Sequence, residues 1–350
     1  MHRTPEHENR QRRPDEGIAV IWVAVFLLVS LWFVSLAIDM GKLMAAKTEL
    51  QAAADAAALA GVSSIDPETG TVVQDSAKVR AAEIGAANGA YEGTQTPVII
   101  DPADVTFPAA NRVRVVTRRE AATGNPVLTH FAQTLGIPNL SVNADATAEA
   151  FVIGEPCEHL APFAPENVPD SLFNSDCDVE YTLKQGSGSA QQGNFQLLEL
   201  PECNEDDFTG GGAAAIYQYI RYGYDCCLKI DDEFLWTEPG NKVGPFRSAL
   251  QARFDADTEH REGICYQEYQ AGGDGNDSRV FVTPIIETFD VNGKKLVRIV
   301  KFAAFFLKDR PGGSMTQQGV TGQFIKYIVP GNAGPNPPDD SMIYGIHLVE

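Results

Sequence analysis

Between Ile18 and Ile38 the chain runs through 21 uncharged residues, IAVIWVAVFLLVSLWFVSLAI, without a proline. As a helix this run is about 32 Å long at ~1.5 Å per residue, enough to cross the hydrocarbon core of a bilayer. Everything downstream is therefore expected on one side of a membrane. Arg3, Arg10, Arg12 and Arg13 precede the run, while only Lys42 and Lys47 follow it closely. That asymmetry predicts a cytoplasmic N-terminus and an exported segment 39–350. A cleaved signal peptide is the competing reading, because Ser35 and Ala37 stand in S-x-A order. Against it, the apolar core exceeds the roughly 7–15 residues of a signal, and no helix breaker follows. Trp22 is expected as an interface anchor, and Trp32, deeper in the run, to pack on another helix or on lipid.

Beyond the run, nine alanines lie between Ala45 and Ala60, and Leu43, Leu50 and Ala57 recur every seven residues. This pattern predicts a helix with a narrow seam of small side chains. With no proline between Ile18 and Gly61, span and seam are expected to form one long helix, with Gly41 its soft point. Ser63–Pro67 ends it. A second helix is expected at 76–90, capped by Asp75 or Ser76, then short strands at 98–100, 104–107 and 112–117, and a helix at 127–135. Val142, Ala144, Ala146, Ala148 and Ala150 alternate with Asn143, Asp145, Thr147 and Glu149, as in a half-buried strand.

Near residue 154 alanine periodicity gives way to prolines and cysteines. The organisation expected is α+β: a tail at 1–17, a transmembrane helix at 18–38, a small α+β domain at 39–153, and a β-rich, disulfide-containing domain at 154–350. Strands are expected there at 179–183, 280–286, 296–306 and 322–329, and helices at 213–222 and 243–254. The prolines and glycines of PGNAGPNPPDD predict irregular chain.

All six cysteines, Cys157, Cys177, Cys203, Cys226, Cys227 and Cys265, lie in this second half. On the exported side an even number points to disulfides, with fifteen possible pairings, and the vicinal Cys226 and Cys227 are expected to bond different partners. Paired C-x-x-C or Cys/His spacings for zinc are missing. The net charge of −20 lies beyond the span and argues against nucleic acid or anionic lipid as a partner of the exported part.

Catalytic signals are weak. Gly210–Gly212 precedes a helix without the Lys-Ser/Thr of a phosphate loop, and DGNDS at 274–278 lacks the glutamate of a calcium loop. His130 reads as a half-buried helix residue, no G-x-S-x-G elbow occurs, and the acid pairs Asp206–Asp207 and Asp231–Asp232 need not converge. One motif stands apart: in TEPGN-x-x-GP, Pro239, Gly240, Gly244 and Pro245 preset a turn, while Glu238 and Asn241 are placed to cap or bind. No cofactor and no enzymatic activity is expected.

Read together, RRPDEG at 12–17, the span, AIDMGK at 37–42 and KTELQAAADAAALAG at 47–61 resemble the N-terminal segment of the TadE/TadG-like Flp pilus-assembly proteins. In that family a span leads into an aspartate at the exported membrane edge, here Asp39, and then an alanine-rich helix. HFAQTLGI at 130–137 and NADATAEA at 143–150 are similar to the end of that domain, extending the resemblance over about 12–153. It implies a membrane-anchored component of a tight-adherence pilus, with other Tad membrane proteins, pilin and membrane lipid as partners and the seam through Leu43, Leu50, Ala53 and Ala57 as a helix-interaction surface. Filament subunits of such systems are processed after a glycine whose fifth following residue is glutamate. Gly17 fits, but its fifth follower is Trp22, which favours a TadG-like anchor over a filament subunit. A tethered surface adhesin or ligand-binding protein is the alternative.

Overall fold

The structure, a computed structural model, describes residues 16–66, 69–90, 96–167, 176–184, 196–202, 212–230, 234–288, 292–312, 319–334 and 343–349. Arg3, Arg10, Arg12, Arg13, Pro67, Cys203, Gly210, Gly211, Asp206, Asp207, Asp231, Asp232 and most of PGNAGPNPPDD lie outside these residues.

The first element, α1 (Glu16–Val62), is a single helix of 47 residues, about 70 Å long. Gly41 sits inside it without interrupting it. Its two halves have opposite surroundings. From Ile18 to Ile38 almost every side chain is exposed, Trp22 at 69% and Trp32 at 60%. The two hydroxyls there bond inward, Ser30 to the Phe26 carbonyl and Ser35 to the Leu31 carbonyl, so the stretch presents only apolar surface to its medium. From Ala46 onward the alanine face is buried.

That face packs against α2 (Gln74–Ala87) and a five-stranded sheet. The strands of this sheet and of a second, six-stranded one are, in chain order, β1 (Val105–Ala109), β2 (Arg112–Arg119), β3 (Val142–Val152), β4 (Tyr181–Lys184), β5 (Leu198–Glu199), β6 (Phe234–Thr237), β7 (Val280–Ile286), β8 (Leu296–Phe306), β9 (Val320–Ile325), β10 (Tyr327–Ile328) and β11 (Ile343–Val349). The first sheet has the order β10-β11-β3-β2-β1. In β3 the small face, Ala144 through Ala150, turns inward as its alternation predicts. Small residues on both helices and the sheet permit close approach: a Cβ on Gly61 would stand 3.0 Å from Val113 Cγ1 and 3.7 Å from Ala81 Cβ.

The second sheet runs β4-β9-β8-β6-β5, with β7 also paired to β8. Around β7 and the second half of β8 it is covered on both faces. Helices α3 (Ala213–Tyr222) and α4 (Val243–Ala256) bury Ile216, Ile220, Phe246 and Leu250 against Phe281, Phe305 and Phe324. On the other face α5 (Tyr266–Gly272) brings Tyr266 and Tyr269 to Phe302 and Phe306. Disulfides Cys157–Cys227 and Cys177–Cys265 tie this half together, and Cys226 is disulfide-bonded too, so the vicinal pair is not joined to itself.

Several expectations need correction. The strand expected at 322–329 is divided between β9 in the second sheet and β10 in the first, where β11, which no expectation covered, lies beside β3 and pairs Tyr344 with Val152 and Val349 with Thr147. Helix α2 starts at Gln74, with Val73 rather than Asp75 or Ser76 at its cap. Residues 98–100 bury Val98 and Ile100 but form no regular element in place of the expected strand. The helix expected at 127–135 is instead a two-residue strand, Val127–Leu128, and a 3-10 turn, Ala132–Leu135.

Candidate functional site

What holds 127–135 out of a regular helix is Asp39, the first residue after the apolar run. Its Oδ1 accepts the His130 amide at 2.8 Å, and its Oδ2 accepts the amides of Phe131 at 3.0 Å and Ala132 at 2.7 Å. One side chain thus satisfies three main-chain donors 91–93 residues away in sequence. Asp39 is only 3% exposed. Burial works against its charge, but the three amides, aided by His130, outweigh it and hold the carboxyl below its usual range. His130 itself is exposed and belongs to no α-helix, contrary to the expectation for it.

The rest of this turn is closed by its own bonds. Thr134 Oγ1 donates to the Phe131 carbonyl, Thr129 Oγ1 to that of Ile137 at 2.6 Å, and the Ile137 amide to that of Ala132. Gly136, at φ 84°, ends the 3-10 turn in the left-handed region that favours glycine. At the base, buried Arg119 donates from Nε to the Asn125 carbonyl and from Nη2 to Asn125 Oδ1. The segment from Asn125 to Leu140 is therefore a fastened excursion from the sheet, clasped to α1 at the edge of the apolar run.

The other residues singled out by sequence do not gather here. Leu50, Ala53 and Ala57 are fully buried in this chain's own core, with Leu43 half-buried. The expectation that this seam faces another protein's helix is thus corrected for the three buried positions: small side chains there admit α2 and the sheet instead. Glu238, Pro239, Gly240 and Asn241 form the link from β6 to α4, and Gly244 and Pro245 lie in the first turn of α4. Glu238 is buried; its amide donates to the Leu197 carbonyl and its carboxylate pairs with Lys242 at 2.9 Å. In DGNDS, Asn276 Oδ1 accepts the Ser278 amide and Asp277 Oδ2 accepts the Tyr327 hydroxyl. No cluster of three metal-ligating side chains occurs among the described residues. A cleft of about 470 Å³ lined by Ser64, Arg80, Gln270, Asp277, Tyr327 and Tyr344 separates α2 from the second core. Within it Arg80 bonds Ser63 and Asp277 bonds Tyr327, while the buried Ser64 hydroxyl has no partner among the described residues.

Sequence reading missed two arginines of the second half, the buried Arg279 and the half-buried Arg253. Arg279, fully buried, donates from Nε to the Leu307 carbonyl at 2.7 Å, from Nη1 to that of Arg261 at 3.0 Å, and from Nη2 to that of Lys308. Its guanidinium lies 4.3 Å from the Phe254 ring centroid and 4.6 Å from that of Phe306. Arg253 likewise bonds the carbonyls of Ser278 and Val280, and burial pushes its pKa down to about 10. These are structural cations closing irregular backbone; only the adjacent aromatic and aliphatic runs hinted at them.

Fold and site define a class: a long helix with a bare apolar half, and an α+β head clasped to it at the apolar edge. Residues 17–64 match the model of a family described as putative Flp pilus-assembly TadE/G-like. The matched stretch takes in the apolar run, Asp39 and the whole alanine seam, and ends before the clasping turn. No curated protein and no solved structure matches the chain.

Proposed function

We propose that this chain is a non-enzymatic, single-pass membrane component of a Flp-type pilus-assembly apparatus, acting by protein–protein contact from an exported head. The observation that carries the reading is the similarity of residues 17–64 to pilus-assembly proteins, on a helix whose first half has no partner within the described residues. The apolar face of 18–38 suits lipid or neighbouring spans, and the four upstream arginines support a cytoplasmic N-terminus. Alkaline phosphatase fused after residue 349 and after residue 17 tests the orientation. Activity from the first fusion alone is expected, and activity from the second overturns it.

The alternative, a tethered adhesin or ligand-binding protein, draws on a second observation. Phe234 and Trp236 point to the exposed face of β6, Leu296 stands opposite Trp236, and Lys294 lies over its ring. Loss of pili on Trp236→Ala favours a contact with the assembly apparatus. Loss of surface adhesion with normal pili favours the alternative.

A further inference from the structure

We propose that residues 128–137 form a second membrane contact, a turn that dips into the lipid interface beside the span. The proposal rests on the single-pass reading above. Its first support is position. Thr117 Oγ1 bonds the Leu50 carbonyl and the amides of 130–132 bond Asp39. The excursion therefore descends along α1 by the separation of Leu50 and Asp39, about 16 Å at ~1.5 Å per residue. Its tip arrives beside Ile38, where the apolar run ends.

The second support is what the tip displays. Leu128 is 52% exposed, Phe131 42%, Leu135 59% and Ile137 46%. Four large apolar side chains in one short turn are unusual for a surface facing water. The third is charge. In a chain with 47 acidic residues, residues 121–144 contain no Asp, Glu, Lys or Arg. A turn without carboxylates meets anionic headgroups without repulsion.

The fourth is main-chain satisfaction. Backbone amides entering the interface lose water and need partners. Asp39 supplies them to three successive amides, while Thr129, Thr134 and Ile137 close the rest of the turn internally. Asp39 thereby becomes a positioning residue that lets the turn sit in the interface as a closed unit. Lipid is the occupant favoured because the patch lies level with the span's end.

The test uses the full chain in vesicles of phosphatidylethanolamine and phosphatidylglycerol, with single nitroxide labels at Phe131→Cys, Leu135→Cys, Val34→Cys and Leu296→Cys. No free cysteine occurs among the described residues to compete for label. Collisions with oxygen report lipid, and collisions with a nickel chelate report water. The labels at 131 and 135 are expected to favour oxygen several-fold relative to the label at 296, at shallower depth than the label at 34. If the label at 135 resembles that at 296 while the label at 34 reads lipid, the dipping turn is refuted and the anchor stands. Shielding of the 135 label from both reagents means protein covers the patch, which also overturns the proposal. A water-exposed label at 34 removes the anchor reading and the proposal with it.

Discussion

Ala57→Leu separates two uses of the alanine seam. Ala57 is fully buried within the core formed by α1, α2 and the first sheet. One turn on, a Cβ at Gly61 would meet Val113 at 3.0 Å and the Ala77 carbonyl at 3.5 Å. Three extra carbons at such a site displace a packed sheet or a helix backbone. Overpacking of this kind costs typically 1–3 kcal/mol, and the upper half of that range is expected because backbone lies close by. The change in helix propensity is a few tenths of a kcal/mol at most. At roughly 2–4 °C per kcal/mol for a domain of 150–250 residues, Tm should fall by about 4–12 °C. Ala52→Leu, on the exposed side of the same helix, should change it by no more than about 0.5 kcal/mol. Thermal unfolding of the detergent-solubilised full chain, followed by near-UV circular dichroism, reads both. Unchanged stability in Ala57→Leu together with lost pilus assembly would refute the reasoning, because the seam would then be a surface for another protein.

Three further outcomes follow from the buried polar groups and the disulfides. Arg279→Ala takes one donor from each of the carbonyls of Leu307, Arg261 and Lys308, the last keeping the Gly263 amide, and removes packing between Phe254 and Phe306. A loss of at least about 3 kcal/mol in urea unfolding is expected. Glu259 is held at about 2 by its side-chain bond to Arg261, then by the Arg261 amide, against the cost of burial. A depressed carboxyl stabilises above its unfolded pKa and loses that contribution as pH falls through the folded value. Acid unfolding between about pH 4.5 and 2 should therefore be less steep in Glu259→Gln than in the wild type. Finally, the paired change Cys157→Ser and Cys227→Ser opens a closure of 70 residues, expected to cost about 4 kcal/mol in the chain-entropy model, read by urea unfolding.

Local pattern carried some elements further than others. The 21-residue run is unbroken in composition, the alanine seam and the alternation of β3 each have one dominant period, and each took the helical or extended form that pattern implies. Strand β7 and helix α3 were likewise bounded by turn residues at their ends. The segment 127–135 misled because its composition suits a helix. A carboxylate distant in sequence captures its amides and selects a 3-10 turn instead. Strand β11 was unreadable for a similar reason: its residues alternate weakly, and its partner is β3, nearly two hundred residues earlier. The seam was visible as small side chains, but a sequence does not say whether small residues admit a partner protein or the chain's own sheet. Asp39 was singled out through the family resemblance, whereas its three amide partners emerged only from the fold.

The central claim is that this clasped, half-bare helix serves pilus assembly. The most direct measurement is the amount of sheared surface pili from a strain lacking the gene, complemented with the full chain or with Asp39→Asn. The account predicts few or no pili without the gene, recovery with the full chain, and reduced recovery with Asp39→Asn despite membrane insertion. Wild-type levels of pili in the strain lacking the gene would contradict it.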